Sequence, residues 1–146
     1  MTITERINAD IKTAMLAKDK ERLEAIRAVK AALLMLQTSG EAVTDDAEIK
    51  LIQKLIKQRK ESAEIYTQQN RPELAEKELS EVAFIEPYLP VQLSEEEIRT
   101  IVAKIMSETG ASSIKDMGKV MAAANKEIAG RAESKVVAEI IKLSLA

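Results

Sequence analysis

The sequence contains no cysteine and no histidine. Those two absences exclude thiol nucleophiles, disulfides, Cys/His zinc sites and histidine general bases. Aromatic residues amount to 2% of the chain, namely Tyr66, Phe84 and Tyr88, so the large side chains that dominate many binding sites are scarce. Proline and glycine are also few, at 3 and 4 residues. No apolar run approaches membrane-spanning length, and no membrane association is expected. The first ten residues carry acids and polar groups from the start, unlike a secretory signal. Together with the absence of cysteine, this gives a cytoplasmic expectation. A carboxylate-only metal site would need clustered acids, and no DxD-type cluster stands out, so no metal and no cofactor are expected.

What remains is a chain of 146 residues that is 46% hydrophobic and 32% charged, with a net charge of −2. That composition fits a folded helical protein. It argues against a chain that coats nucleic acid non-specifically, so any such contact needs a local basic patch.

Seven helical stretches and no strand pattern can be read, giving an all-α fold. The first spans roughly Thr4 to Ala17, with Ile3, Ile7, Ile11 and Met15 spaced for one face. The second covers Lys20 to Gln37, ahead of "TSG". The third, the longest, starts after Thr44, with Asp45 and Asp46 in its first turn, and runs to about Gln69. "NRP" breaks the chain, and the fourth helix ends near "EPYLP". "PYLPVQL" reads as a domain boundary, because Pro87 and Pro90 disfavour helix and the segment is uncharged. Beyond it, Ser94 and Glu97 form a capping box for the fifth helix, which stops at Gly110. Ser113 and Asp116 form a weaker box for the sixth, which stops at Gly130. The seventh runs from about Ala132 to the end. The expected organisation is a four-helix N-terminal domain over 1–89 and a small three-helix domain over 90–146.

Some charges fall on apolar faces. Arg59 lies amid Leu51, Ile52, Leu55, Ile56 and Tyr66 on the third helix, and Arg27 and Lys30 share a face with Leu23, Ile26, Leu33 and Leu34 on the second. Glu78 and Glu86 lie near Leu74, Val82 and Ile85 on the fourth. A charge on a core face needs a partner. The expectation is a set of structural ion pairs between Arg27 or Arg59 and Glu78 or Glu86. An acid/base site is disfavoured, because arginine is a poor proton acceptor and no nucleophile accompanies it.

The sixth helix, within "DMGKVMAAANKEIAGRAESK", has a different character. Ile114, Met117, Val120, Met121, Ala124 and Ile128 form its apolar face. Lys115, Lys119 and Lys126 form a stripe on another side, and Gly118, Ala122, Asn125 and Ala129 form a small-residue ridge between. Lys115 and Lys119 place positive charge at a helix end that is already positive, the electrostatics of a phosphate site. Arg131 and Lys135 are expected to repeat that pattern at the start of the seventh helix. The ridge lets another backbone come close, either the seventh helix or a sugar–phosphate chain. With no aromatics to stack bases, an RNA contact here would read backbone shape.

"IRAVKAAL", "KQRKESAEIY", "ELAEKELSEVAFIEPYLPVQLSEEEI" and "DMGKVMAAANKEIAGRAESKVV" together resemble the YqeY family of GatB/YqeY domain proteins, in order and over essentially the whole chain. The C-terminal part is similar to the tail domain of the GatB subunit of the aspartyl/glutamyl-tRNA amidotransferase. The resemblance implies an N-terminal helical bundle plus a three-helix tail that helps hold tRNA. The family's glycine–lysine and "GRAD-K" patterns match Gly118 and Lys119, and Gly130, Arg131 and Lys135, with Glu133 where the family often has Asp. The amidotransferase's catalytic cradle and its partner's serine–lysine machinery have no counterpart, so no catalytic residue is expected. The expected function is non-catalytic binding of tRNA or another structured RNA through Lys115, Gly118, Lys119, Lys126, Gly130, Arg131 and Lys135. The alternative is a protein-interaction module or an accessory factor linked to tRNA-dependent amidotransfer, with a protein partner.

Overall fold

The computed structural model describes residues 2–40 and 42–146. Among these there are seven α-helices and no strand, so the chain is all-α. Its contacts divide it into two compact units, Met1–Leu89 and Pro90–Ala146.

The first unit holds α1 (Ile3–Leu16), α2 (Lys20–Thr38), α3 (Asp45–Gln68) and α4 (Pro72–Ile85), closed by a 3-10 turn over Glu86–Tyr88. Each start has a local cause. Thr2 and Glu5 form a capping box for α1, the Asp19 carboxylate accepts the Arg22 N–H at 3.3 Å, and the Thr44 hydroxyl accepts the Ala47 N–H at 3.1 Å. Pro72 opens α4, where its missing N–H costs nothing. Buried Ile7, Ile26, Ile52 and Ile85 meet in one core with Val29 and Tyr88. Each such aliphatic side chain contributes roughly 1.5–3 kcal/mol by leaving water.

Arg59 is held as a core-edge charge must be, but by Glu81 rather than by Glu78 or Glu86. Its Nε lies 3.2 Å from the Glu81 carboxylate, with the two side chains 15% and 18% exposed. A guanidinium N–H also donates to the Leu55 carbonyl at 3.2 Å. Glu86 is exposed at the helix end and meets Lys60 at 3.9 Å. Arg27 does not enter the core: it is exposed, and no ion pair is found for it or for Glu78 among the described residues. On α2 the buried arc is narrow, Ala25, Ile26, Val29 and Leu33, which leaves Arg27 on the outer side.

The second unit contains α5 (Glu95–Thr109), a 3-10 turn over Ile114–Asp116, α6 (Met117–Ile128) and α7 (Ser134–Leu145). Ser94 and Glu97 cap α5 reciprocally. Gly110 ends it with φ +69°, a left-handed conformation that glycine adopts without steric cost. Each helix gives one stripe to the core: Ile98, Val102 and Ile105 from α5, Val120, Ala124 and Ile128 from α6, and Val137, Ile140 and Ile141 from α7. Among the described residues no helix is long and apolar enough to cross a membrane.

Candidate nucleic-acid interface on the C-terminal unit

Helix α6 buries Val120, Ala124 and Ile128 and half-buries Met117, Met121 and Ala123. At 100° per residue the opposite arc holds Gly118, Ala122, Asn125 and Ala129, with Lys119 and Lys126 along one edge. All six are exposed. A Cβ built on Gly118 would meet nothing within 4 Å. Of the two readings of the ridge, close packing of α7 is therefore excluded. The small residues face open space, beside two lysines one turn-pair apart on the same edge.

The turn leading into α6 is stitched by an acid. The Asp116 carboxylate accepts the backbone N–H groups of Ser112 and Ser113 at 3.0 and 3.3 Å. These two bonds, helped by the charge of Lys119, hold the Asp116 carboxyl below its ordinary value. Amides that a phosphate would use at this helix start already have an internal anion. Lys119 in turn donates from Nζ to the Thr109 carbonyl at 3.3 Å, satisfying a carbonyl at the end of α5.

The expected start of α7 is displaced. Ala129 and Gly130 both take left-handed conformations, at φ +43° and +82°. The Arg131 carbonyl then accepts the Leu93 N–H at 2.7 Å, and its guanidinium donates to the Val91 carbonyl at 3.4 Å. The Gly130 carbonyl accepts from the Gln92 amide at 3.1 Å. Arg131 thus pins the segment Val91–Leu93 and lies outside α7, which begins at Ser134. Lys135 is exposed on the first turn of α7, and Lys115 is exposed in the 3-10 turn. Lys126 is exposed, and its neighbour Glu127 meets Lys104 at 3.8 Å. The sequence-derived set therefore splits: Gly118, Lys119 and Lys126 share the open side of α6, while Gly130 and Arg131 work in the loop.

Sequence reasoning overlooked one further cluster, in the first unit. The Tyr88 hydroxyl donates to the Asp10 carboxylate. Arg6 sits over the Tyr88 ring at 5.1 Å and donates to the Pro87 carbonyl at 2.8 Å. Burial, then the hydrogen bond and charge of Asp10, push the Tyr88 phenol well above its ordinary value. The cluster fastens the end of the unit onto α1. Its residues lie some eighty positions apart, so no local pattern announces it. Among the described residues, no group of three or more His, Cys, Asp or Glu is placed to hold a metal ion.

The family profile described as "Yqey-like protein" matches residues 4–145. Relatives include "Altered inheritance of mitochondria protein 41, mitochondrial" of Meyerozyma guilliermondii, 32% identical over 75% of this chain and 61% of the relative. The protein of the same name from Pyrenophora tritici-repentis is 32% identical over 89% of this chain and 73% of its own length. That of Lachancea thermotolerans is 36% identical over 73% and 59%. The chain thus spans about three-fifths to three-quarters of these relatives. Their mitochondrial names overturn the cytoplasmic expectation, which rested on missing cysteines and a missing secretory signal. Neither of those features separates one compartment free of secretion from another. The match over nearly every residue, together with the all-helical architecture, places the chain in the YqeY-like protein family.

Proposed function

We propose that the C-terminal unit is a non-catalytic contact for the sugar–phosphate backbone of tRNA or another structured RNA. The observation that carries this reading is the open ridge of α6: Gly118 has free space at its Cβ position, and Lys119 and Lys126 are exposed along the ridge's edge. A backbone can approach the ridge closely while the ammonium groups reach its phosphates. Lys115 and Lys135 add charge from the flanking turns. All three aromatics lie before residue 90, so this unit has no ring on which to stack an unpaired base. The reading is therefore shape recognition by phosphate contact, without base selection. The resemblance of this unit to the amidotransferase tail supports tRNA as the first RNA to try.

The mechanism differs from one built on helix N-termini. Asp116 occupies the amides before α6, and Arg131 is engaged by the Val91 carbonyl. The work falls to lysines on the ridge edge.

The test is binding of unmodified tRNA to the full-length protein at low salt, followed across a salt series. Wild type is expected to bind, with affinity falling as salt rises. The Lys115→Ala, Lys126→Ala double variant should weaken binding to every RNA tried and lower the salt slope by about one per lost phosphate contact. Absence of retention by wild type at low salt refutes the reading. Capture of a protein partner that survives nuclease treatment, with no RNA bound, would support the protein-interaction alternative instead.

A further inference from the structure

The boundary between the two units falls between Leu89 and Pro90. The chain is fastened on both sides of it. On the first side, Arg6 donates to the Pro87 carbonyl at 2.8 Å, and buried Tyr88 donates its hydroxyl to Asp10. The Leu89 N–H donates to the Glu86 carbonyl at 3.0 Å, and the Leu89 side chain packs on the first core. On the second side, the Leu93 N–H donates to the Arg131 carbonyl at 2.7 Å. The Arg131 guanidinium donates to the Val91 carbonyl at 3.4 Å, and the Leu93 side chain packs on the second core.

Few torsions are left between these fastenings. The bonded N–H and packed side chain of Leu89 fix its φ. The ring of Pro90 locks φ there at about −65°. The ψ of Leu89 is 156°, inside the extended well of about +120° to +160° that a following proline imposes. That leaves ψ of Pro90 and φ of Val91, which flank a single peptide group. Val91 is 85% exposed, so its side chain offers little packing resistance to a turn of that group. The oxygen of the same peptide is the Pro90 carbonyl, and it has one side-chain partner. The Gln92 amide donates to it at 2.8 Å and to the Gly130 carbonyl at 3.1 Å.

We propose that the Pro90–Val91 peptide is the joint between the two units and that Gln92 is its latch. With Gln92 bonded to both carbonyls, the peptide is tied to the loop before α7 and the connection is stiff. With Gln92 turned out to water, the two torsions are released while every fastening on either side stays in place. Gln92 is exposed, so water competes for its bonds and the latch opens without unfolding either unit. The joint belongs to the linker and stands whether or not the α6 ridge binds RNA.

The experiment is amide nitrogen relaxation by NMR on the full-length protein, with residual dipolar couplings fitted to each unit separately. Wild type is expected to show helix-like order parameters, about 0.85, at Leu89 and Leu93. Gln92→Ala, and Gln92→Glu, which keeps the shape but loses the donor, should lower the order parameter of Val91 and widen the difference in alignment strength between the units. Pro90→Gly should lower it further, because it also frees the φ that the ring locks and the ψ of Leu89. Helix chemical shifts should stay those of wild type in both units, which separates a released joint from unfolding. Order parameters below about 0.6 at Leu89 or Leu93 of wild type overturn the proposal, because the fastenings would then be absent. So does a Val91 order parameter that the Gln92 variants leave unchanged, or a Pro90→Gly protein indistinguishable from wild type.

Discussion

The Lys119 ammonium donates to the Thr109 carbonyl at 3.3 Å, so the third residue of α6 caps the end of α5. A lysine on the proposed binding edge therefore also holds the fold. Lys119→Ala should lower stability by up to about 0.5 kcal/mol, as loss of a cation at a helix C-terminus does, and weaken RNA binding as well. Lys126→Ala should weaken binding with no measurable change in melting temperature. Equal thermal effects of the two substitutions would contradict this division.

Arg59 and Glu81 form an enclosed ion pair in the first unit. Arg59→Ala leaves Glu81 without its guanidinium and removes a bond to the Leu55 carbonyl. The expected cost is about 1–3 kcal/mol in urea unfolding. Glu86→Ala, which removes only an exposed contact, should cost less than about 1 kcal/mol. A larger loss for Glu86→Ala than for Arg59→Ala would reverse the assignment.

Tyr88 should resist ionisation, because its raised value follows from burial and from the acceptor Asp10. A phenol with a raised folded-state value contributes stability that is complete below its unfolded value near 10 and is lost as pH rises toward the folded one. Phenolate absorbance in a Tyr66→Phe variant, where Tyr88 is the one remaining tyrosine, reads this directly. Titration of Tyr88 at its ordinary value would contradict the Asp10 bond.

Asp116 behaves in the opposite sense. Its carboxyl is held low by the Ser112 and Ser113 amides and by Lys119. The stability it contributes is present above the unfolded value, about 4, and is lost as pH falls through the folded one. Wild type should therefore exceed Asp116→Asn in melting temperature at neutral pH, with the gap closing in acid. A gap that widens in acid would contradict the account.

How far the sequence spoke for the fold depended on the range of the interactions involved. Ser94 with Glu97, Thr44, Pro72 and Gly110 announce helix ends within four residues, and the helices begin or stop there. The third helix carries Arg59 on its apolar side, so its need for an acid was legible. Which acid was not: Glu78, Glu81 and Glu86 are all on or next to α4, and only the packing of α3 on α4 selects Glu81. Arg27 was misplaced because a wheel cannot show how wide a buried arc will be. The start of α7 was misplaced for a similar reason. Ala132 is a good helix former, but the Leu93 and Val91 contacts to Arg131 come from forty residues away. On α6 the wheel separated ridge, lysine edge and core, yet it could not say whether another helix covered the ridge.

The open space at Gly118 makes it the residue on which the central claim turns. If the fold needed that glycine, replacing it would destabilise the unit; if a ligand's backbone needs it, replacement should spare the fold and harm binding. The direct measurement is tRNA affinity and melting temperature of Gly118→Leu. Leucine suits a helix better than glycine by up to about 1 kcal/mol, so stability should hold or rise while tRNA retention at low salt is lost. Retained binding in a stable Gly118→Leu protein would contradict the proposed interface.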